Sequence, residues 1–160
     1  MSYEMGVERV INATAAEVFE AYTSVEAQRV WFAMGGEGKE DLIVEIDGDP
    51  VVGGEWNAAW GHSKDEIYRE HGVYQVIDRP HRVVMASTFH TPDGQSMESD
   101  VEVIFEDLGG KTRMVVVQRR IPTEEVRDFV ATVAWPGAFD RIERYLRQKA
   151  AVAAHADGNG

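Results

Sequence analysis

A chain of 160 residues with 28 acidic and 16 basic side chains carries a formal charge of -12. That charge opposes nucleic-acid or anionic-membrane binding, because such partners need clustered positive surface. There is no cysteine, which excludes disulfides, thiolate nucleophiles and cysteine-ligated zinc, so the fold must rest on an apolar core.

Met1 to Val10 mixes Glu4, Glu8 and Arg9 among apolar residues and lacks the continuous apolar region of a signal peptide. No window approaches the roughly 18 apolar residues of a membrane-spanning helix, so a cytoplasmic location is the default expectation. Val7 to Ile11 reads as a strand. Thr14 and Glu17 have capping-box spacing and open a helix carrying Val18, Phe19 and Tyr22. Thr23 and Glu26 repeat the signal and predict a second short helix with Val30, Trp31 and Phe32, ended by Gly35-Gly36.

The pattern then changes to short runs rich in Val, Ile, Phe and Trp, which predict six strands: Leu42 to Ile46, Gly54 to Trp60, Arg69 to Asp78, Arg82 to His90, Met97 to Asp107 and Thr112 to Ile121. The breaks between them are short, at Asp49-Pro50, Arg79-Pro80, Pro92-Asp93-Gly94 and Gly109-Gly110, so the expectation is an antiparallel meander of hairpins. Alternation predicts faces. Val101, Val103 and Phe105 point inward against Asp100, Glu102 and Glu106. Trp56, Ala58 and Trp60 point inward against Glu55 and Asn57, and Thr112, Met114, Val116 and Gln118 against Arg113 and Arg119. Val115 and Val117 make the other face of that last strand apolar too, as in a strand covered on both sides. Arg119 and Arg120, as neighbours on a strand, are expected on opposite faces of a solvated strand end.

Pro122-Thr123-Glu124-Glu125 is a helix start with a capping threonine and acids where the helix dipole favours them. Pro136 is expected to kink that helix or begin another. Beyond it Trp135, Phe139, Ile142 and Leu146 share one face, and Arg141, Arg144 and Arg147 the other. Residues 1–149 are expected to form one domain, and Ala150 to Gly160, with little to bury, a disordered tail.

Strand, two helices, six strands and a C-terminal helix is the order of the START-like, birch-pollen-allergen-like (SRPBCC) helix-grip fold. Within that group the chain resembles the activator of heat-shock-protein-90 ATPase homologues. The resemblance is carried by INATAAEVFEAYTSVEAQRVWF, VVGGEWNAAW, HGVYQVIDRPHRVVMASTF, KTRMVVVQ and WPGAFDRIERYL, from about Val7 to Leu146. It implies an α+β fold with a curved antiparallel sheet of about seven strands around a long C-terminal helix and an apolar cavity between them. The eukaryotic proteins that name the family carry an additional chaperone-binding domain, which these residues are not expected to supply.

The residues expected to line that cavity are Trp31, Phe32, Trp56, Met85, Ser87, Val103, Gln118, Trp135, Phe139 and Ile142. Trp60 and Phe89 converge on the same space, and core packing is the competing reading for every aromatic. Ser87 and Gln118 are the inward polar residues, and burial obliges each to find a hydrogen-bond partner. His62 and His71 with Glu66 or Glu70 lack metal-site spacing, and Gly35-Gly36 and Gly53-Gly54 lack the lysine and helix of a phosphate loop. His81, His90 and His155 are expected to be exposed. No cofactor, metal or catalytic residue is assigned.

The leading functional expectation is a protein that binds an apolar or lipid-like small molecule. A cyclase or dehydratase using the same cavity requires His71, Tyr74 or Asp100 to reach inside, and the alternation places Asp100 outside. A chaperone-associated interaction protein, using an outer surface, is the third reading. Neither nucleic acid nor membrane insertion is expected, and oligomeric state and any protein partner are left open.

Overall fold

The computed structural model describes residues 2–34 and 43–158, with side chains through Ala154. β1 (Tyr3–Ile11) leads into α1 (Ala15–Thr23) and α2 (Val25–Trp31). β2 (Ile43–Gly48), β3 (Glu55–Gly61), β4 (Ile67–Asp78), β5 (Arg82–His90), β6 (Ser96–Asp107) and β7 (Thr112–Ile121) follow. The chain continues into α3 (Glu124–Phe129), a π-helical turn (Val130–Ala134) and α4 (Trp135–Gly158). The strands form one curved antiparallel sheet of seven in the order β1-β7-β6-β5-β4-β3-β2, a meander that β1 extends by pairing with β7. Among the described residues no helix is long and apolar enough to cross a membrane. The expected helix stop at Gly35-Gly36 and strand start at Leu42 lie outside the described residues.

Local chemistry sets the element boundaries. Thr14 Oγ1 accepts from the Glu17 amide at 3.2 Å while Glu17 Oε1 accepts from the Thr14 amide at 3.0 Å, which closes the capping box that opens α1. The cap of α2 is Ser24 rather than Thr23: Ser24 Oγ accepts from the Ala27 amide at 3.2 Å. Thr23 turns back instead, its hydroxyl donating to Phe19 O at 2.8 Å inside the core. β1 begins at Tyr3, earlier than expected, because β7 extends far enough for Met5 to pair with Gln118 and Tyr3 with Ile121.

Arg119 and Arg120 depart from the expected alternation. They stand opposite the single residue Glu4 in a bulge, and Arg120 has φ 61. The extra residue turns both guanidinium groups to the outer face, where Arg120 Nε donates to Asp100 at 2.7 Å and an Arg119 amine to Glu102 at 3.2 Å. On that same outer face Val115 and Val117 are half-buried rather than covered.

The C-terminal helices show what proline does to a continuous run. Thr123 Oγ1 caps α3 by accepting from the Val126 amide at 3.1 Å. The Trp135 amide then donates five residues back to Val130 O, widening the helix immediately before Pro136, which has no amide hydrogen to donate. Beyond the proline Phe139, Ile142 and Leu146 are buried as one face. Arg9 of β1 ties that helix to the sheet, donating to Asp140 and, at 2.9 Å, to Glu143, with its guanidinium 5.4 Å from the centre of the Phe139 ring. Arg144 and Arg147 face water, but Arg141 is half-buried and donates to Met34 O at 3.1 Å. The stretch expected to be disordered is helical through Gly158, with Ala151–Ala154 exposed. Alanine needs no packing partner to favour a helix, so an absence of large side chains did not mean an absence of structure.

The helices cover the sheet unevenly. α4 packs against β1, α1 and α2, α1 reaches β6 and β7, and α2 lies against β2. No described helix backbone packs closely on β3, β4 or β5. Among the described residues, the inner face of those strands is met by side chains alone.

Two stability measurements follow. Phe139→Ala should lower the unfolding free energy by about 3–5 kcal/mol, the cost of truncating a buried aromatic. Ending the chain after Lys149 should leave the thermal midpoint unchanged within error, whereas a drop of several degrees would show that the exposed helical end docks on the molecule.

Candidate functional site

The inner face of β3, β4, β5 and β6 carries two adjacent rows of side chains. Registered pairing sets Ala58, Glu70, Phe89 and Met97 in one row and Trp56, Gly72, Ser87 and Ser99 in the next. Trp60 and Tyr68, paired across β3 and β4, extend the first row outward. Their rings and that of Phe89 lie 5.8–6.3 Å apart between centroids, and Phe32 from the end of α2 joins at 5.6 Å from Trp60. Phe32, Trp60, Phe89 and Met97 are half-buried and Tyr68 is 39 % exposed, so this aromatic group retains accessible surface although it stands on the inner face.

Two glutamines orient the indoles behind it. Trp56 Nε1 donates to Gln28 Oε1 at 2.8 Å, and Gln28 Nε2 donates in turn to Tyr22 O at 2.6 Å. Trp135 Nε1 donates to Gln118 Oε1 at 3.0 Å, and Gln118 Nε2 to Ser99 Oγ at 2.9 Å. Gly72 makes room for Met85: a Cβ there would sit 2.5 Å from the Met85 sulfur.

Glu70 is the unexpected member. The Ser87 hydroxyl donates to its Oε2 at 2.5 Å. Burial raises the Glu70 pKa above the ordinary carboxylate value, and the Ser87 bond offsets part of that rise. Burial, then the neighbouring Tyr74 and Glu70, pushes the Tyr22 hydroxyl up, and burial takes Tyr74 to about 12 against the opposing effects of Gln28 and Arg79. Among the described residues neither Glu70 Oε1 nor Tyr22 Oη has a hydrogen-bond partner. Among the described residues no fully buried side-chain nitrogen or oxygen lacks one, so both atoms keep some accessible surface.

The residues expected to line a cavity therefore divide. Phe32, Gln118 and Trp135 keep accessible surface on the inner face. Trp56, Met85 and Ser87 lie just beneath it, 5–7 % exposed. Val103, Phe139 and Ile142 are packed in the core at 0–2 %, and Trp31 is held between α1 and α2 with its indole N–H on Ala21 O at 2.9 Å. Of the groups that internal catalysis required, Tyr74 faces inward, His71 stands on the outer face and Asp100 is paired with Arg120 outside. Tyr22, Tyr68 and Ser99 were not expected at the site, and Glu70 was considered only beside the histidines and given no role. The signal for Glu70 was its spacing of two and four residues from Gly72 and Tyr74, which places all three on one face.

The outer face holds a shallow depression of about 310 Å³ between Glu45, Asp47, Asn57, Arg69, His71 and His90, which Glu70 and the alanines of β3 also line. The two imidazoles stack there with centroids 6.2 Å apart. Among the described residues no cluster of three or more histidine or carboxylate groups suits a metal ion.

Residues 12–147 match the family described as activator of Hsp90 ATPase homolog 1-like protein. No curated protein matches the chain. Among solved structures, an uncharacterised protein from Rhizobium leguminosarum is similar with a TM-score of 0.71 at 24% identity, over 92% of this chain and 96% of that one. A Staphylococcus epidermidis protein is similar with a TM-score of 0.71 at 24% identity, over 91% and 90%. A Rhodobacter sphaeroides protein is similar with a TM-score of 0.70 at 23% identity, over 93% of each chain. These likenesses support the fold alone.

The burial of Glu70 has a pH signature. Above the ordinary carboxylate value of 4.5 the unfolded chain releases a proton that the folded chain retains, so stability falls as pH rises until the folded group ionises as well. Glu70→Gln removes that loss. Its thermal midpoint relative to the parent should therefore shift upward as pH rises above 4.5; a pH-independent difference would show that Glu70 is not desolvated.

Proposed function

The chain belongs to the activator of Hsp90 ATPase homolog 1-like family, and from that premise we propose that it binds an apolar small molecule on the concave face of β3, β4, β5 and β6. The observation that carries this reading is the half-exposed aromatic group of Phe32, Trp60, Tyr68 and Phe89 on the side of the sheet that faces the helices. Large apolar side chains that keep accessible surface on an inward face gain by covering it with a ligand, at about 25 cal/mol for each Å² removed from water. The oriented tryptophans and the Ser87, Ser99 and Gln118 side chains behind them supply a few polar contacts, which is the usual make-up of a small-molecule site.

The neutral probe 2-naphthalenemethanol should bind the folded protein saturably in isothermal titration calorimetry. Ser99→Phe, which fills the inner row, should weaken binding by at least about tenfold, about 1.4 kcal/mol. His71→Phe on the outer depression should leave it unchanged, with circular dichroism confirming that both variants fold. The opposite pattern would move the ligand to the outer face.

A further inference from the structure

We propose that the ligand is an apolar amine whose ammonium group is anchored by the free oxygen of Glu70. The proposal rests on the concave face being the ligand site and adds the ligand's charge. Among the described residues, Glu70 is the carboxyl group at an inward position of β3, β4 or β5; Glu45, Asp47, Glu55, Glu98, Asp100, Glu102 and Glu106 take outward positions, and Asp107, which shares the inward parity of β6, is exposed at its far end. Its Oε2 holds the Ser87 hydroxyl and its Oε1 holds no described partner, so the group has one acceptor site filled and another facing accessible space.

A buried carboxylate is costly unless a cation pairs with it, and among the described residues none does. Arg9 is engaged with Asp140 and Glu143, Arg141 with Met34 O, and Arg79 lies 5.2 Å from the centre of the Phe19 ring. A ligand ammonium supplies the missing charge. The approach is lined by Trp60, Tyr68, Phe89 and Phe32, whose ring faces attract cations, and the net charge of -12 draws cations toward the molecule from solution. An apolar carboxylate in the same place would face Glu70 across a low-dielectric gap, with no described cation to meet it. An alcohol could use the oxygen of Glu70 but would leave the charge uncompensated.

The test compares three probes with one ring system: 2-naphthylmethylamine, 2-naphthalenemethanol and 2-naphthoate, each titrated into the parent, Glu70→Gln and Glu70→Asp. On the parent the amine should bind at least about tenfold tighter than the alcohol, with the carboxylate weakest, as expected of a charge-assisted contact in a partly buried site. Glu70→Gln should abolish the preference for the amine while leaving alcohol affinity within about twofold. Glu70→Asp, which keeps the charge, should retain part of the preference. Equal affinity for amine and alcohol on the parent, or an amine preference that survives in Glu70→Gln, overturns the amine assignment and leaves the binding site standing. Failure of all three probes to bind the folded parent overturns the concave-face reading itself.

Discussion

The burial of one face of the C-terminal helix is the constraint on which the rest of the arrangement depends. Phe139, Ile142 and Leu146 give up nearly all their accessible surface, and Arg9 fixes the same helix by its acids and by the ring of Phe139. These contacts hold α4 toward β1, at one edge of the sheet. The short helix α2 is drawn to β2, at the opposite edge. Between them α1 reaches only β6 and β7, so among the described residues β3, β4 and β5 are met by side chains alone. The half-exposed aromatic group and the accessible oxygen of Glu70 both lie within that interval.

The polar groups inside are ordered rather than scattered. Each of the two inner indoles donates to a glutamine oxygen, and each glutamine nitrogen donates onward, to Tyr22 O in one case and to Ser99 in the other. An amide bonded at both ends holds its partners in one orientation, so the aromatic surface is set before any ligand arrives. Glu70 differs in keeping one oxygen uncommitted, and a low-dielectric site makes such a group sensitive to the charge of whatever comes next to it.

The fold was largely legible in the sequence because its signals are periodic and local. The alternation of Val101, Val103 and Phe105 with acids, the Thr14 and Glu17 box and the threonine before Glu124 each act within a few residues and appear as read. The site was harder. β4 carries polar residues at both parities, so pattern alone did not decide that Glu70 faces in, and considering it beside His71 drew attention to the residue on the other face. Which inward residues are packed and which stay accessible is set by where α4 and α2 lie, as the contrast between Val103 and Ser99 on one strand shows. The bulge at Arg119 and Arg120 similarly depends on pairing with β1, over a hundred residues away in sequence.

A crystal structure of the protein soaked with 2-naphthylmethylamine tests the central claim most directly, because it shows at once which face is occupied and which atom meets the nitrogen. The account predicts the ring against Trp60 and Phe89 on the concave face, with the nitrogen within hydrogen-bond distance of Glu70 Oε1. A ring bound in the outer depression beside His71 and His90, or inner aromatic side chains closed on one another with no space between them, would contradict it.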